Sequence, residues 1–223
     1  MNALTDRDLR QRDVIPQQRL AECCATVIGV GSIGRQVALQ LVAMGMPHLH
    51  LTDPDDVDVV NLAPQGYRED DVGRPKVWAT AHACHEVNSQ VAVTVKRGRF
   101  QRHDKIGNVV ACCVDSIATR RLIWQAVKHR CESFVDGRMT AESLRVLTAC
   151  DDASRRHYET TFFPEDRAFA GTCTARSTIY VANIAAGLMV AQLARRLRGM
   201  PTDADLTVNL LASELHVDTP GNA

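Results

Sequence analysis

The chain has 223 residues, long enough for one α/β domain with a sizeable core that needs no covalent staples. Lys plus Arg and Asp plus Glu number 26 each, so the formal charge is zero, which argues against a general nucleic-acid or membrane-binding surface. The first eight residues are charged and lack the apolar core of a signal peptide. No run reaches the roughly 18 apolar residues of a membrane span, so the expected setting is cytoplasmic.

Taken in order, residues 1–24 are polar with scattered arginines and read as an N-terminal arm or helix, ahead of a single domain over 25–223. Residues 25–30 form a buried strand. A helix over 32–44 follows, with Val37, Leu41 and Met44 on one face, and Met46-Pro47 ends it. Leu49 and Leu51 alternate with polar neighbours in a second strand. A polar loop carries Asp53, Asp55, Asp56, Asn61, Gln65 and Tyr67. The pattern then predicts a helix over 75–87, a strand at 91–95, and a continuous apolar strand over 108–114 of the kind covered on both faces. Helix over 118–131, a short strand at 133–136 and a return strand at 143–149 come next. Residues 151–177 read as a long irregular crossover, with His157 and Tyr158 on its surface. A strong helix over 178–197 and two short strands, 206–211 and 214–217, close the chain. The expected fold class is α/β: a Rossmann-like, doubly wound mixed sheet, mostly parallel with a few antiparallel strands towards the C-terminus.

The chemistry begins at Val27-Ile28-Gly29-Val30-Gly31-Ser32-Ile33-Gly34, a strand running into G-x-G-x-x-G and a helix. The glycines serve the tight turn, close approach to phosphate and close helix–strand packing, and the helix N-terminus offers free N–H groups to an anion. Asp53 lies 19 residues past Gly34, near the spacing of about 20 at which a strand-end acid meets a ribose hydroxyl. On this evidence the nucleotide could be NAD, FAD or ATP. The eight cysteines contain no C-x-x-C pair, so a structural zinc framework is not expected, and disulfides are not expected without secretion. Cys112 and Cys113 read as small core residues, and the histidines show no metal-ligand spacing.

Four further blocks occur in order: Asp53-Pro54-Asp55-Asp56-Val57, Asn61-Leu62-x-x-Gln65, Gly73-Arg74-Pro75-Lys76, and Cys113-Val114-Asp115-Ser116-x-x-x-Arg120. This set resembles the ThiF/MoeB-type adenylyltransferases, the prokaryotic relatives of ubiquitin-activating enzymes, with D-x-D-x-V-x-x-x-N-L-x-R-Q, G-x-x-K and D-N-x-x-x-R. Arg10-Gln11-Arg12 also resembles the N-terminal R-Q element of that family. The resemblance is strong over roughly residues 10–140 and weak in the C-terminal helix.

The resemblance implies ATP-dependent adenylation of a carboxylate with Mg²⁺. Gly29, Gly31 and Gly34 would cradle the nucleotide, Asp53 would hold the ribose, and Asp55, Asn61 and Gln65 would shape the pocket. Lys76 would reach the phosphates, and Asp115 would hold Mg²⁺ directly or through water. Arg10 resembles an arginine that family dimers insert into the neighbouring active site, which implies a homodimer. Cys173, in Gly171-Thr172-Cys173-Thr174-Ala175-Arg176-Ser177, lies where some members place a working cysteine. A thiolate near Arg176 and a helix start would be activated, whereas a structural cysteine is the alternative. The implied partner is a ubiquitin-like or sulfur-carrier protein ending in glycine. Alternatives are the carboxylate of a small molecule, peptide or tRNA, an NAD-binding oxidoreductase, and a catalytically weak nucleotide-binding scaffold subunit. Against the oxidoreductase stand Asp55, Asn61, Gln65, Lys76 and Asp115, for which hydride transfer has no use.

Two positions depart from the pattern. Pro64 stands where the family has arginine, leaving Arg35, Arg68 or Arg74 to replace it, and Ser116 stands where asparagine is usual. Arg138 could contact substrate or pair with an acid.

Overall fold

A computed structural model describes residues 7–163 and 177–218. Eight strands form one sheet in the order β3-β2-β1-β4-β5-β6-β7-β8. Their ranges are β1 Cys24–Ile28, β2 His48–Asp53, β3 Ala92–Arg97, β4 Val109–Cys112, β5 Ser133–Thr140, β6 Ser143–Ala149, β7 Asp205–Asn209 and β8 Glu214–Asp218. The pairs from β3 through β5 are parallel, and β5 to β8 are antiparallel. This is the expected mixed, doubly wound α/β sheet.

The helices are α1 Gln17–Ala21, α2 Ser32–Met44, α3 Leu62–Gln65, α4 Lys76–Val87, α5 Ile117–Val127, α6 Asp152–Thr160 and α7 Ile179–Leu197. Val27 of β1, Leu49 and Leu51 of β2, Val77 of α4 and Val181 of α7 are fully buried in one apolar cluster, joined by Val37 and Leu41 of α2. On the other face, Trp124 of α5, Phe134 of β5 and Tyr158 of α6 meet edge to face, with centroids 4.9–5.1 Å apart. Each such burial contributes about 1.5–3 kcal/mol, with a further increment from ring geometry. Helix α2 stops at Gly45, which takes φ 107° and donates its N–H to Val42, a left-handed cap that suits glycine.

Two expectations need correction. The 151–177 stretch is not irregular throughout, because α6 occupies its first part. Asp151 and Ser154 form a reciprocal capping box, with Ser154 N–H donating to Asp151 Oδ1 at 2.8 Å. Ser154 and Tyr158, four residues apart, are buried beneath it. Tyr158 is therefore a core residue, not a surface one. His157 also has a partner, with Nε2 2.8 Å from the buried Asp205. The few apolar side chains of this helix hid its amphipathicity.

The second correction concerns β5, which continues to Thr140 instead of stopping near Asp136. Residues Gly137 to Thr140 pair with β6 across a two-residue turn in which Ala141 takes φ 50°. The polar Asp136-Gly137-Arg138 ended the apolar signal, and only the partner strand reveals the continuation. The N-terminal segment is also anchored. Leu20 is fully buried, Gln11 Nε2 donates to Met44 O at 3.2 Å, and Arg19 Nη1 donates to Leu197 O at 2.9 Å. Among the described residues, no helix is long and apolar enough to cross a membrane.

Candidate nucleotide site

From β1 the chain winds outward through β2 and β3 and then returns to β4 on the other side of β1. The crevice beyond the C-terminal ends of β1 and β4 is thus the topological switch point, where open α/β sheets hold ligands. The glycine loop lies there. Gly29 adopts φ 86°, and a Cβ on it would stand 2.9 Å from Cys113 O, so loop and β4 end can touch only because Gly29 has no side chain. A Cβ on Gly34 would collide with the Gly29 carbonyl, which is what lets α2 start so close to its strand. Gly31 is different: a Cβ there would meet only Gln65 Oε1, at 3.9 Å. Its surroundings are open enough for a phosphate chain to approach the backbone at the helix N-terminus.

Asp53 is 5% exposed. Its Oδ2 accepts the Val30 N–H at 2.7 Å and its Oδ1 accepts the Asp55 N–H at 2.9 Å. Burial pushes its carboxyl upward, opposed by those two amides and by Lys76. Asp53 thereby ties the glycine loop to the loop after β2. The more open carboxylate is Asp55, with its side chain 61% exposed, 3.0 Å from Lys76 Nζ. Lys76 itself is 6% exposed at the first position of α4. A cation at a helix N-terminus is unfavourable by itself, and Asp55 answers that cost in part.

Asn61 closes a 3-10 turn, its Oδ1 accepting the Asp58 N–H at 2.9 Å. Gln65 faces Gly31 with Oε1 buried and without a hydrogen-bond partner. Tyr67, which the sequence reading left without a role, donates its hydroxyl to Val30 O at 2.6 Å and lies 3.1 Å from Thr80 Oγ1. It braces the glycine loop against α4. No sequence rule singles out one tyrosine in a polar loop for this.

Asp115 lies in the turn after β4 and is exposed. Ser116 caps α5, accepting the Thr119 N–H at 3.2 Å. The cap is thus Ser116, and Asp115 stays exposed just past the C-terminal end of β4. Behind the turn, Arg120 is buried, pairs with Asp136, and donates to Val114 O and to Gly137 O. Arg138 pairs with Asp136 at 2.8 Å and donates to Thr161 O and Oγ1, both at 3.1 Å. Of the two readings for Arg138, pairing with an acid is the one the structure contains.

Arg10 is exposed in the 3-10 turn Leu9–Gln11. The adjacent Gln11 is bonded to Met44 at the far end of α2, about 20 Å along a 13-residue helix from the glycine loop. One chain does not bring Arg10 to its own site. Cys173 lies outside the described residues, and Ser177, the next residue described, has its Oγ 3.3 Å from Ser32 Oγ at the start of α2.

The seven described cysteines are free thiols. Burial pushes Cys84 up to about 12 and Cys131 up to about 11, with nearby arginines opposing it. Among the described residues, no group of three His, Cys, Asp or Glu could hold a metal. A single exposed carboxylate does fit Mg²⁺, which commonly takes one or two carboxylates plus substrate phosphates and water.

The ThiF family profile matches residues 5–218, and the chain belongs to that family. It is 34% identical over 113 residues to an adenylyltransferase and sulfurtransferase, MOCS3-1, of Zea mays, covering 48% of this chain and 24% of that protein. It is 32% identical over 113 residues to the sulfur carrier protein ThiS adenylyltransferase of Escherichia coli K12, covering 48% of this chain and 45% of that protein. The chain thus matches less than half the length of either relative. Among solved structures, PaaA superposes with a TM-score of 0.79 at 20% identity, covering 98% of this chain and 83% of PaaA. E. coli MccB, solved with AMPCPP and MccA, superposes with a TM-score of 0.77 at 17% identity, covering 99% of this chain and 73% of MccB. These likenesses show the fold.

Proposed function

We propose that the protein uses ATP to adenylate a carboxylate. The observation that carries this reading is the juxtaposition at one crevice of the open Gly31 turn, the buried Lys76 with its Asp55 partner, and the exposed Asp115 at the end of β4. A carboxylate oxygen attacks the α-phosphorus of ATP, the bond to the β-phosphate oxygen breaks, and pyrophosphate leaves. An anion must approach a polyanion, so most of the catalysis is positioning and charge neutralisation. The α2 amides and Lys76 serve the phosphates, and Asp53 and Asp55 serve the ribose side. Mg²⁺, when bound, would neutralise phosphate charge, with Asp115 as the protein carboxylate that holds it.

The proposed acyl substrate is the C-terminal glycine of a ubiquitin-like or sulfur-carrier protein, supported by the sulfur carrier protein ThiS adenylyltransferase among the relatives. The Cys173 thiolate, or another sulfur nucleophile, would then attack the acyl carbon, forming a C–S bond as the bond to AMP breaks and AMP leaves. A homodimer is part of the proposal, since Arg10 is too far from its own crevice and would serve a neighbouring one. A second reading, a peptide carboxylate, draws support from the fold likeness to MccB, solved with MccA, which covers 73% of MccB.

The test is carboxylate-dependent exchange of labelled pyrophosphate into ATP, run with carrier proteins ending in glycine and with short peptides. Exchange should require Mg²⁺ and collapse in Asp115→Ala. Exchange that survives this substitution would remove Asp115 from the site. Activity with peptides alone would select the second reading. NADH binding without any exchange would return the oxidoreductase.

A further inference from the structure

Pro64 leaves this chain without the arginine that the family pattern places beside Gln65. Of the three arginines that could replace it, Arg68 is committed to Glu86 on the surface of α4, at 2.8 Å. Arg74 is exposed and makes no side-chain polar contact among the described residues. Arg35 is in another situation. It follows the third glycine directly, is 4% exposed, and lays its guanidinium 4.6 Å from the centroid of the Tyr67 ring. Its Nε donates to Gly66 O at 3.1 Å, and the next residue, Gln36, donates from Nε2 to Gln65 O at 3.1 Å.

Two consecutive side chains of the glycine helix therefore grip two consecutive carbonyls at the end of α3. That grip matters because α3 has only four residues and is too short to hold its own shape. Its conformation comes from what it is fastened to. The outcome of the fastening is the placement of Gln65 against Gly31, half-buried, with its amide oxygen buried and unpartnered. Rotating that amide by a half turn exchanges its oxygen for its NH₂, so the same placement can offer donors to a phosphate. Arg35 Nη1 is itself buried without a partner.

We infer that Arg35 is a positioning residue for the nucleotide: by clamping residues 61–67 onto α2, it compensates for Pro64 and holds the Gln65 amide where it can contact the phosphates. The inference rests on the ATP reading above. Lysine cannot replace Arg35, because it has neither an Nε–H in a planar fork nor a flat face to stack on Tyr67.

The test compares wild type with Arg35→Lys and Arg35→Met in three measurements: ATP–pyrophosphate exchange kinetics, thermal unfolding, and amide hydrogen exchange of the peptide spanning 61–67 with and without ATP. The expected result is a rise of tenfold or more in the KM for ATP, with kcat within threefold of wild type. Unfolding should stay cooperative, and the ATP-dependent protection of 61–67 seen in wild type should be lost in both variants. Folded variants with a KM for ATP within twofold of wild type would overturn the inference. So would loss of cooperative unfolding in both, which would make Arg35 part of the scaffold. If wild type neither binds ATP nor exchanges pyrophosphate, the adenylation reading fails by itself. The clamp is then judged without nucleotide: faster exchange at 61–67 in Arg35→Lys supports it, and unchanged exchange refutes it.

Discussion

Replacing Lys76 by methionine separates the catalytic role proposed for it from its structural one. The ammonium lies 3.0 Å from Asp55 Oδ2, and Coulomb's law at that distance in water gives about 1.4 kcal/mol. The Asp55 side chain is 61% exposed, so screening and side-chain entropy reduce the net loss to about 1 kcal/mol or less. Methionine keeps the buried stem in place, and the freed Asp55 can be hydrated where it stands. Unfolding in urea should therefore shift by no more than about 1 kcal/mol. Catalysis should respond on a different scale. A fixed charge aimed at the phosphates from a largely dry position is worth about 10²–10³-fold in kcat when removed. Pyrophosphate exchange and urea titration on the same preparation check both numbers. Exchange within threefold of wild type would refute the assignment of Lys76 to the phosphates. A stability loss above about 3 kcal/mol would show that the pair is mainly structural.

Other substitutions probe the frame around the site. Gly34→Ala places a methyl group on the Gly29 carbonyl and should cost about 1–3 kcal/mol by overpacking, with loss of ATP binding measured by calorimetry. Asp136→Ala strands Arg120 and Arg138, both largely buried, and should lower stability by about 3–5 kcal/mol in chemical denaturation. Tyr158→Phe removes a 3.0 Å hydrogen bond to the same carboxylate and should cost about 1–3 kcal/mol by the same measurement. For pH, burial raises the Asp205 carboxyl, but Arg145 and His157 outweigh it, so its folded value lies below the ordinary one. Its stabilisation is thus complete above the ordinary aspartate value near 4 and is lost as pH falls through the lower folded value. Asp205→Asn should flatten that part of the acid limb of a stability–pH curve. An unchanged limb would contradict the linkage.

Local pattern carried most of the architecture. The glycine turn, the 32–44 helix and the return strand at 143–149 were legible because apolar spacing and turn chemistry are local properties. The ordered blocks ending in Lys76 and Asp115 were legible as a family pattern, and the profile match over residues 5–218 bears that out. Less local features were missed. Helix α6 buries Ser154 and Tyr158 under a polar surface, and β5 needed β6 to extend past Asp136. Both depend on a partner that is distant in sequence.

By itself, then, the sequence determined that the chain carries a nucleotide-type glycine loop in a doubly wound α/β sheet, because glycine conformations and strand alternation are written residue by residue. Tertiary structure alone decided how the polar residues divide the work. It turned Asp53 towards backbone amides and left Asp55 open to pair with Lys76. It gave the α5 cap to Ser116 and left Asp115 exposed past the end of β4. It also committed Arg68 to Glu86 and drew Arg35 under Tyr67. Charge and residue type are the same for each candidate in sequence, and only burial and the direction of neighbouring donors tell them apart.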